Sequence, residues 1–365
     1  MQWRGELDGA LPNDAHFLVA SDGSRISSLD AFRLLALFAV VTIHTHPFLG
    51  PGFSETAHTL GGVINQLARF AVPYFFLTTG YFFGVKSKLG VDMIALAAAW
   101  SKRLFAIWLF WSVAYLVFPL DSIDDAIQAG YARFVSWRLW AIGHDPERLL
   151  LVGSAGHLWF LLSLIQALWI LAWVNRLASP VGTICIAGGL YVLGLLGGAY
   201  AVTALGVQIP MNTRNGPFFS TLFVALGWLI ATQPVSLRTS LALLLCLAGL
   251  ALQLGEAWIL EDHYGAAFVH RDYFIGTAPF ALGVFLALLR NPAVGADSIP
   301  ARLSYFGVGI YTAHLALVGV LRLLRPSLPS AIWEIAYPFF VLACTITVVM
   351  LMAKIGRLKR FVTSA

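Results

Sequence analysis

The 365-residue sequence is 59% hydrophobic and 11% charged, where soluble domains carry about 25% charged residues, so it reads as a membrane protein and not as a soluble enzyme. Its 23 Lys and Arg against 18 Asp and Glu leave a net charge of +5, but the basic residues are spread between apolar runs and form no single stripe, which argues against a nucleic-acid partner. Cys185, Cys246 and Cys344 each lie inside an apolar run without metal-ligand spacing, so neither a disulfide framework nor a zinc site is indicated.

Residues 1–28 lack apolar periodicity and read as a mobile cytoplasmic tail, with Ser27 or Ser28 expected to cap the first helix. No small-residue cleavage site follows the first apolar run, which is expected to stay in place as an anchor. That run, Leu29 to Phe48, is long enough to cross a bilayer and holds Arg33 and His44. Eleven positions at 100° per residue leave a remainder of ~20°, so both project from one face, about 16 Å apart along the axis. Ionisable groups in a span normally face a bundle interior or an aqueous cavity, so a shared face implies a shared polar seam.

The expected fold is all-α, polytopic, with about ten transmembrane helices: 29–48, 63–84, 100–119, 157–175, 181–201, 217–232, 239–259, 273–290, 302–320 and 331–353. Fifteen of the 23 Lys and Arg fall on one side, which the positive-inside rule makes the cytoplasm, together with both termini. The outer connection 120–156 carries a helical pattern with Ile123, Ile127, Ala132, Phe134 and Trp137 on one face, suited to lying on the membrane surface. A basic tail, 354–365, follows the membrane domain of 29–353; no soluble second domain and no sequence repeat is evident.

Several polar residues stand out. His44 is matched to general-base work near neutral pH or, alternatively, hydrogen-bonds a neighbouring helix. Arg33 faces the seam or snorkels to the interface beside Asp30. His46, about 160° from the Arg33 face and followed by Pro47, belongs to a helix end. Thr78, Thr79 and Gly80 within VPYFFLTTGYFFG serve close packing or put hydroxyls beside the seam. Lys86, Lys88, Lys102 and Arg103 meet anionic lipid or hold the phosphates of a soluble donor such as coenzyme A. His157, with Trp159 and Phe160, is an interface anchor or faces an acceptor from outside. Arg214 and Asn215 precede a helix start and form an ordinary turn or bind an anionic or sugar group. His314, inside the ninth span, requires a polar partner. A phosphate-binding glycine loop, HExxH, GxSxG and CxxC are all absent, so metal-dependent and serine-nucleophile chemistry lack support.

Together these stretches resemble the acyltransferase 3 family, most closely its surface-polysaccharide O-acetyltransferase branch. The family's first-helix pattern of arginine, ten residues and histidine is reproduced by Arg33 to His44 in RLLALFAVVTIH; FFLTTG, with Thr79 where the family has serine, SKRLFAIW, HLWFLLSL, RNGPFF and FGVGIYTAHL resemble further family stretches, over roughly residues 27–350. The resemblance implies a ten-helix enzyme of the bacterial cytoplasmic membrane that moves an acyl group, usually acetyl, from cytoplasmic acyl-CoA to a hydroxyl of a surface polysaccharide or lipid-linked glycan. Acyl-CoA would be a co-substrate, with no permanently bound cofactor and no metal. The catalytic pair expected on this resemblance is His44 as general base and Arg33 orienting the donor or stabilising developing charge, with Lys102, Arg103 and Thr79 as donor-binding residues and His157, Arg214, Asn215 and His314 on the acceptor side. A transporter of a small polar solute using the Arg33/His44 seam is the alternative, since some family members are associated with solute movement.

Overall fold

The computed structural model describes residues 26–233, 238–269, 271–326 and 330–364. The expected N-terminal tail therefore lies outside the described residues, apart from its last three positions. Every regular element among the described residues is helical. Helix α1 is Ser27–Thr45, α2 Glu55–Ala68, α3 Ala71–Lys88 and α4 Met93–Val117. Three short helices follow, α5 Ile123–Ala129, α6 Tyr131–His144 and α7 Pro146–Val152, then α8 Trp159–Leu177, α9 Pro180–Leu196 and α10 Pro217–Thr232. The chain closes with α11 Thr239–Tyr264, α12 Thr277–Arg290, α13 Ile299–Leu303, α14 Gly307–Arg322, α15 Ala331–Lys354 and α16 Gly356–Val362. Six segments among the described residues are long and apolar enough to cross a membrane: α1, α4, Gly156–Leu177, α11, Ile299–Arg322 and α15.

Local chemistry explains where the helices begin. Asp92, Ser179, Ser298 and Ser330 each accept a hydrogen bond from a backbone N–H three residues on, and Pro180 opens α9. The first helix departs from expectation. Ile26 occupies its cap position without a side-chain bond, and Ser28 instead donates to the Leu288 carbonyl at 2.8 Å while its N–H bonds to Pro292. A buried tertiary anchor has taken the serine that spacing assigned to a cap. The expected span 63–84 is also divided, because the chain turns at Arg69 and Phe70 between α2 and α3. The span expected from 100 begins earlier, so Lys102 and Arg103 lie inside α4.

The outer connection is helical, as its pattern implies, but Phe134 leaves the expected face. Phe134 is buried, whereas Ile127 and Trp137 are 65% and 58% exposed. Arg138 explains the arrangement: it bonds to Asp121 at 2.7 Å and to the Tyr115 carbonyl at 2.8 Å, and this turns Phe134 inward while leaving Ile127, Tyr131, Trp137 and Trp140 outward.

A close crossing joins α3 to α10. A Cβ on Gly80 would lie 2.0 Å from the Val224 carbonyl oxygen, and one on Gly227 would lie 2.1 Å from that of Leu77. Small residues here let two backbones touch, which is how helices gain contact where lipid removes the hydrophobic drive. Around this crossing, Phe76, Phe160, Phe219 and Phe223 fill the centre of the bundle. Gly227→Leu is expected to destabilise the protein by about 1–3 kcal/mol or more through overpacking, read as a lowered thermal midpoint in detergent; an unchanged midpoint would show that the helices can part.

Candidate active site

Three of the six long segments form the inside of the bundle. Burial reaches 78% for Ile299–Arg322, 67% for Gly156–Leu177 and 50% for α1, against 28%, 22% and 28% for α4, α11 and α15. Each inner segment carries one histidine to a common point. His44 lies in the last turn of α1, His157 in the 3-10 turn before α8, and His314 within α14. Their ring centroids are 5.1 Å apart for His44 and His314, 5.1 Å for His157 and His314, and 6.5 Å for His44 and His157.

Hydrogen bonds fix which nitrogens carry protons. His314 Nδ1 lies 2.5 Å from the Tyr311 carbonyl and His157 Nε2 lies 3.0 Å from the Thr312 carbonyl. A carbonyl only accepts, so both nitrogens must be N–H donors. In the neutral rings, the opposite nitrogens, His314 Nε2 and His157 Nδ1, are then lone-pair acceptors, and both are buried without a partner among the described residues. His44 is half-buried and makes no hydrogen bond among the described residues, which leaves its ring open to the adjoining cavity.

The helix that carries His314 is locally opened. The Tyr115 hydroxyl donates to the Thr312 carbonyl at 2.8 Å and accepts from the Ala316 N–H at 3.1 Å, the pair that a regular helix joins directly. Tyr311 donates to the His157 carbonyl. Tyr311 thus holds α14 to the His157 turn, and Tyr115 holds it to α4.

A cavity of about 510 Å³ lies beside the three histidines and is lined by His44, His46, Asn65, His157, Arg214 and Asp272, among others. Asp272 is its electrostatic centre. Its Oδ1 accepts from Arg69 at 3.1 Å and Arg214 at 2.6 Å, while Oδ2 accepts from Asn212 at 3.1 Å. Burial pushes the Asp272 carboxyl up, but the Arg214 and Arg69 guanidiniums outweigh it and hold the group below the usual carboxylate range. Arg214 also donates to Asn215 at 3.3 Å and lies over the Trp159 ring, 5.5 Å from its centroid. A second cavity, about 820 Å³, adjoins the first and shares His46 and Val269 with it. His46 is in the left-handed region, at φ 50°, and the loop after it is pinned by Glu334, which accepts from the Phe48 N–H at 3.0 Å and pairs with Arg325 at 2.9 Å.

Arg33 stands at the other end of α1 and faces the same helical segment that carries His314. Its Nη1 approaches the Ser304 carbonyl at 3.4 Å, and its stem crosses Gly307 so closely that a Cβ there would lie 2.9 Å from Arg33 Cδ. Arg103 donates to the Thr363 carbonyl at 2.7 Å, and the Ser364 N–H bonds to the Tyr305 carbonyl at 2.7 Å. The segment after α16 therefore joins Arg103 to the turn beside Arg33. Lys102 is exposed, and the Thr79 hydroxyl donates to Phe75 within its own helix at 2.8 Å.

The structure thus gathers His44, His157, His314, Arg214 and Asn215 at one end and Arg33 with Arg103 at the other. Thr79 is engaged inside α3. Sequence reasoning missed Asp272, Arg69, Asn65 and Tyr311. For Arg69 a signal existed, a lone charge within an apolar stretch, whereas Asp272 sits 203 positions away in an unremarkable loop.

A family model described as an acyltransferase domain matches residues 26–354. An amino-acid racemase of Enterococcus faecalis is 29% identical over 219 residues, which cover 57% of this chain and 28% of that protein. A serine/alanine racemase of Enterococcus gallinarum is 28% identical over 244 residues, covering 62% and 32%. The chain therefore spans about a third or less of the curated relatives it matches. No solved structure matches.

Replacing Asp272 by Asn leaves two guanidiniums without their carboxylate and is expected to lower stability by about 3 kcal/mol, measured as a thermal midpoint in detergent. In the wild type the carboxylate's contribution is complete above about pH 4 and fades as pH falls toward its lower folded value. Asp272→Asn should lack that acid-side loss; a variant with wild-type stability and acid profile would show that the clamp is slack.

Proposed function

The chain belongs to the acyltransferase 3 family, and on that premise we propose that it is a membrane O-acyltransferase, moving an acyl group, usually acetyl, from cytoplasmic acyl-CoA to a hydroxyl of a surface polysaccharide or lipid-linked glycan. The observation that carries this reading is one helix holding Arg33 and His44 on a common face, with His44 at a meeting of three imidazoles and open to a polar cavity.

In the proposed reaction His44 takes the proton from the acceptor hydroxyl as its oxygen attacks the thioester carbonyl. The tetrahedral adduct then collapses, the carbon–sulfur bond breaks, and the proton held by His44 passes to the departing thiolate. The free lone pairs of His157 and His314 support this role. His314, whose ring centroid lies 5.1 Å from that of His44, is close enough to accept the N–H of His44 once the rings align, and would so hold the other His44 nitrogen as the base. Arg33 is assigned to orient the donor and stabilise developing charge; exposed Lys102 and the half-buried Arg103 are assigned to the phosphates of coenzyme A. Thr79, bonded within its helix, supplies packing more readily than donor contact. His157, Arg214, Asn215 and His314 would surround the acceptor.

The reading carries a topology with ten crossings, both termini in the cytoplasm and residence in the bacterial cytoplasmic membrane. Its support is six long apolar segments, three shorter apolar helices (α9, α10 and α12) and the 18-residue α3. Donor and acceptor would then approach from opposite compartments, and α1 would bridge them.

Purified protein in nanodiscs, given radiolabelled acetyl-CoA, is expected to bind or slowly hydrolyse it. His44→Ala should lower turnover by a factor of about 10² or more with insertion intact, and Arg33→Ala should weaken donor use. Undiminished turnover in His44→Ala would remove the base assignment. If no acyl-CoA binds or turns over, transport of a small polar solute becomes the better reading.

A further inference from the structure

The cavity beside His44 carries an unbalanced charge. Its lining includes two guanidiniums, Arg69 and Arg214, and one carboxylate, Asp272. The two arginines have different duties. Arg69 has all three nitrogens engaged: Nε donates to Asn65, Nη1 to the Asp272 carboxylate and carbonyl, and Nη2 to the Val269 carbonyl. Its side chain is 10% exposed, and it serves as a post for Val269 and Asp272. Asp272 is likewise occupied at both oxygens.

Arg214 is not saturated. Nη1 and Nε are held by Asp272 and Asn215, whereas Nη2 has no hydrogen-bond partner among the described residues, and the side chain is 33% exposed. Asp272 fixes one edge of the guanidinium and the Trp159 ring supports its face. A planar donor held in this way loses little freedom when it binds a second anion. A neutral hydroxylated ligand has no need of the extra charge.

Resting on the acyltransferase reading, we propose that the acceptor carries an anionic group, a carboxylate or a phosphate ester, which docks on the free edge of Arg214 while a hydroxyl of the same molecule meets His44. Both residues line one cavity of about 510 Å³, within the size range for a single small ligand, so charge and hydroxyl belong to one unit or to immediate neighbours. Arg69 and Asp272 act as positioning residues behind Arg214. The carboxylate source would be an acidic sugar; the phosphate source would be a phosphodiester or phosphomonoester beside the acylated unit.

The test uses the full chain in detergent and two matched probe pairs: methyl β-D-glucuronide with methyl β-D-glucoside, and glycerol 3-phosphate with glycerol. Binding is read by tryptophan fluorescence, since Trp159 lies under Arg214. At least one anionic probe should bind about tenfold more tightly than its neutral partner, with a preference that shrinks as salt rises. Arg214→Gln should abolish the preference, and Arg214→Lys should retain part of it, which separates lost charge from lost fold. A glucuronide preference identifies the carboxylate source and a glycerol 3-phosphate preference the phosphate source. Equal affinity within both pairs, no binding of either anion at millimolar concentration, or an anion preference surviving in Arg214→Gln would each overturn the proposal. Acetyl-CoA hydrolysis measured on the same sample separates the two readings: anion binding without donor turnover sinks the transferase and spares the subsite, while turnover without anion preference does the reverse.

Discussion

Three imidazoles share one small volume inside the bundle, and the rest of the site follows from how their polar atoms are satisfied. A buried N–H without an acceptor is costly, more so where no water can substitute. His157 and His314 meet that demand by donating to consecutive carbonyls of α14, Thr312 and Tyr311. Consecutive carbonyls on a helix point to different sides, so the two rings approach from two directions and His44 completes the group. Tyr115 enters the hydrogen-bond ladder of that helix between Thr312 and Ala316, so the Thr312 carbonyl receives both the Tyr115 hydroxyl and the His157 N–H. One bond of the histidine cluster therefore shares its acceptor with a tyrosine from α4.

Charge is arranged by the same economy around Asp272. One carboxylate joins α2, the turn before α10 and the loop before α12 through Arg69, Asn212 and Arg214. None of these elements shares a local pattern with another. At the far end of α1, Arg33 and Arg103 reach the backbone carbonyls of Ser304 and Thr363, and the buried Asp30 carboxylate accepts from the Ser304 hydroxyl at 3.4 Å. One end of the molecule thus sets two guanidiniums on one carboxylate, and the other sets guanidiniums on backbone carbonyls.

Much of this was legible before any coordinates. Hydropathy marks the spans, because a segment bathed in lipid must be apolar over its length, and helical periodicity alone put Arg33 and His44 on one face. His157 and His314 stood out as polar residues with no stated partner. What the sequence hid has a common physical origin. Asp272 and Arg69 are ordinary until a contact across 203 positions brings them together. Ser28 reads as a cap, yet a tertiary carbonyl outcompetes its own backbone. Residues 63–84 read as one apolar run, but the turn at Arg69 is required to deliver that guanidinium to Asp272. In the outer connection, Arg138 chooses a partner on α4 and thereby rotates Phe134 inward. Long-range polar pairing overrode local pattern in each case.

The glycine contact between α3 and α10 leaves no space for sliding, so this pair is a fixed spindle at the centre of the fold. Helices α11 and α15, by contrast, are only 22% and 28% buried. Within α15, Pro338 removes the N–H that would bond to the Glu334 carbonyl, and Glu334 is the residue that pins the loop after His46. The interrupted hydrogen-bond ladder of α15 therefore lies at the turn that anchors the loop after His46. The wall of the larger cavity, which includes Glu334, is thus fastened to the turn of α15 that lacks a backbone hydrogen bond.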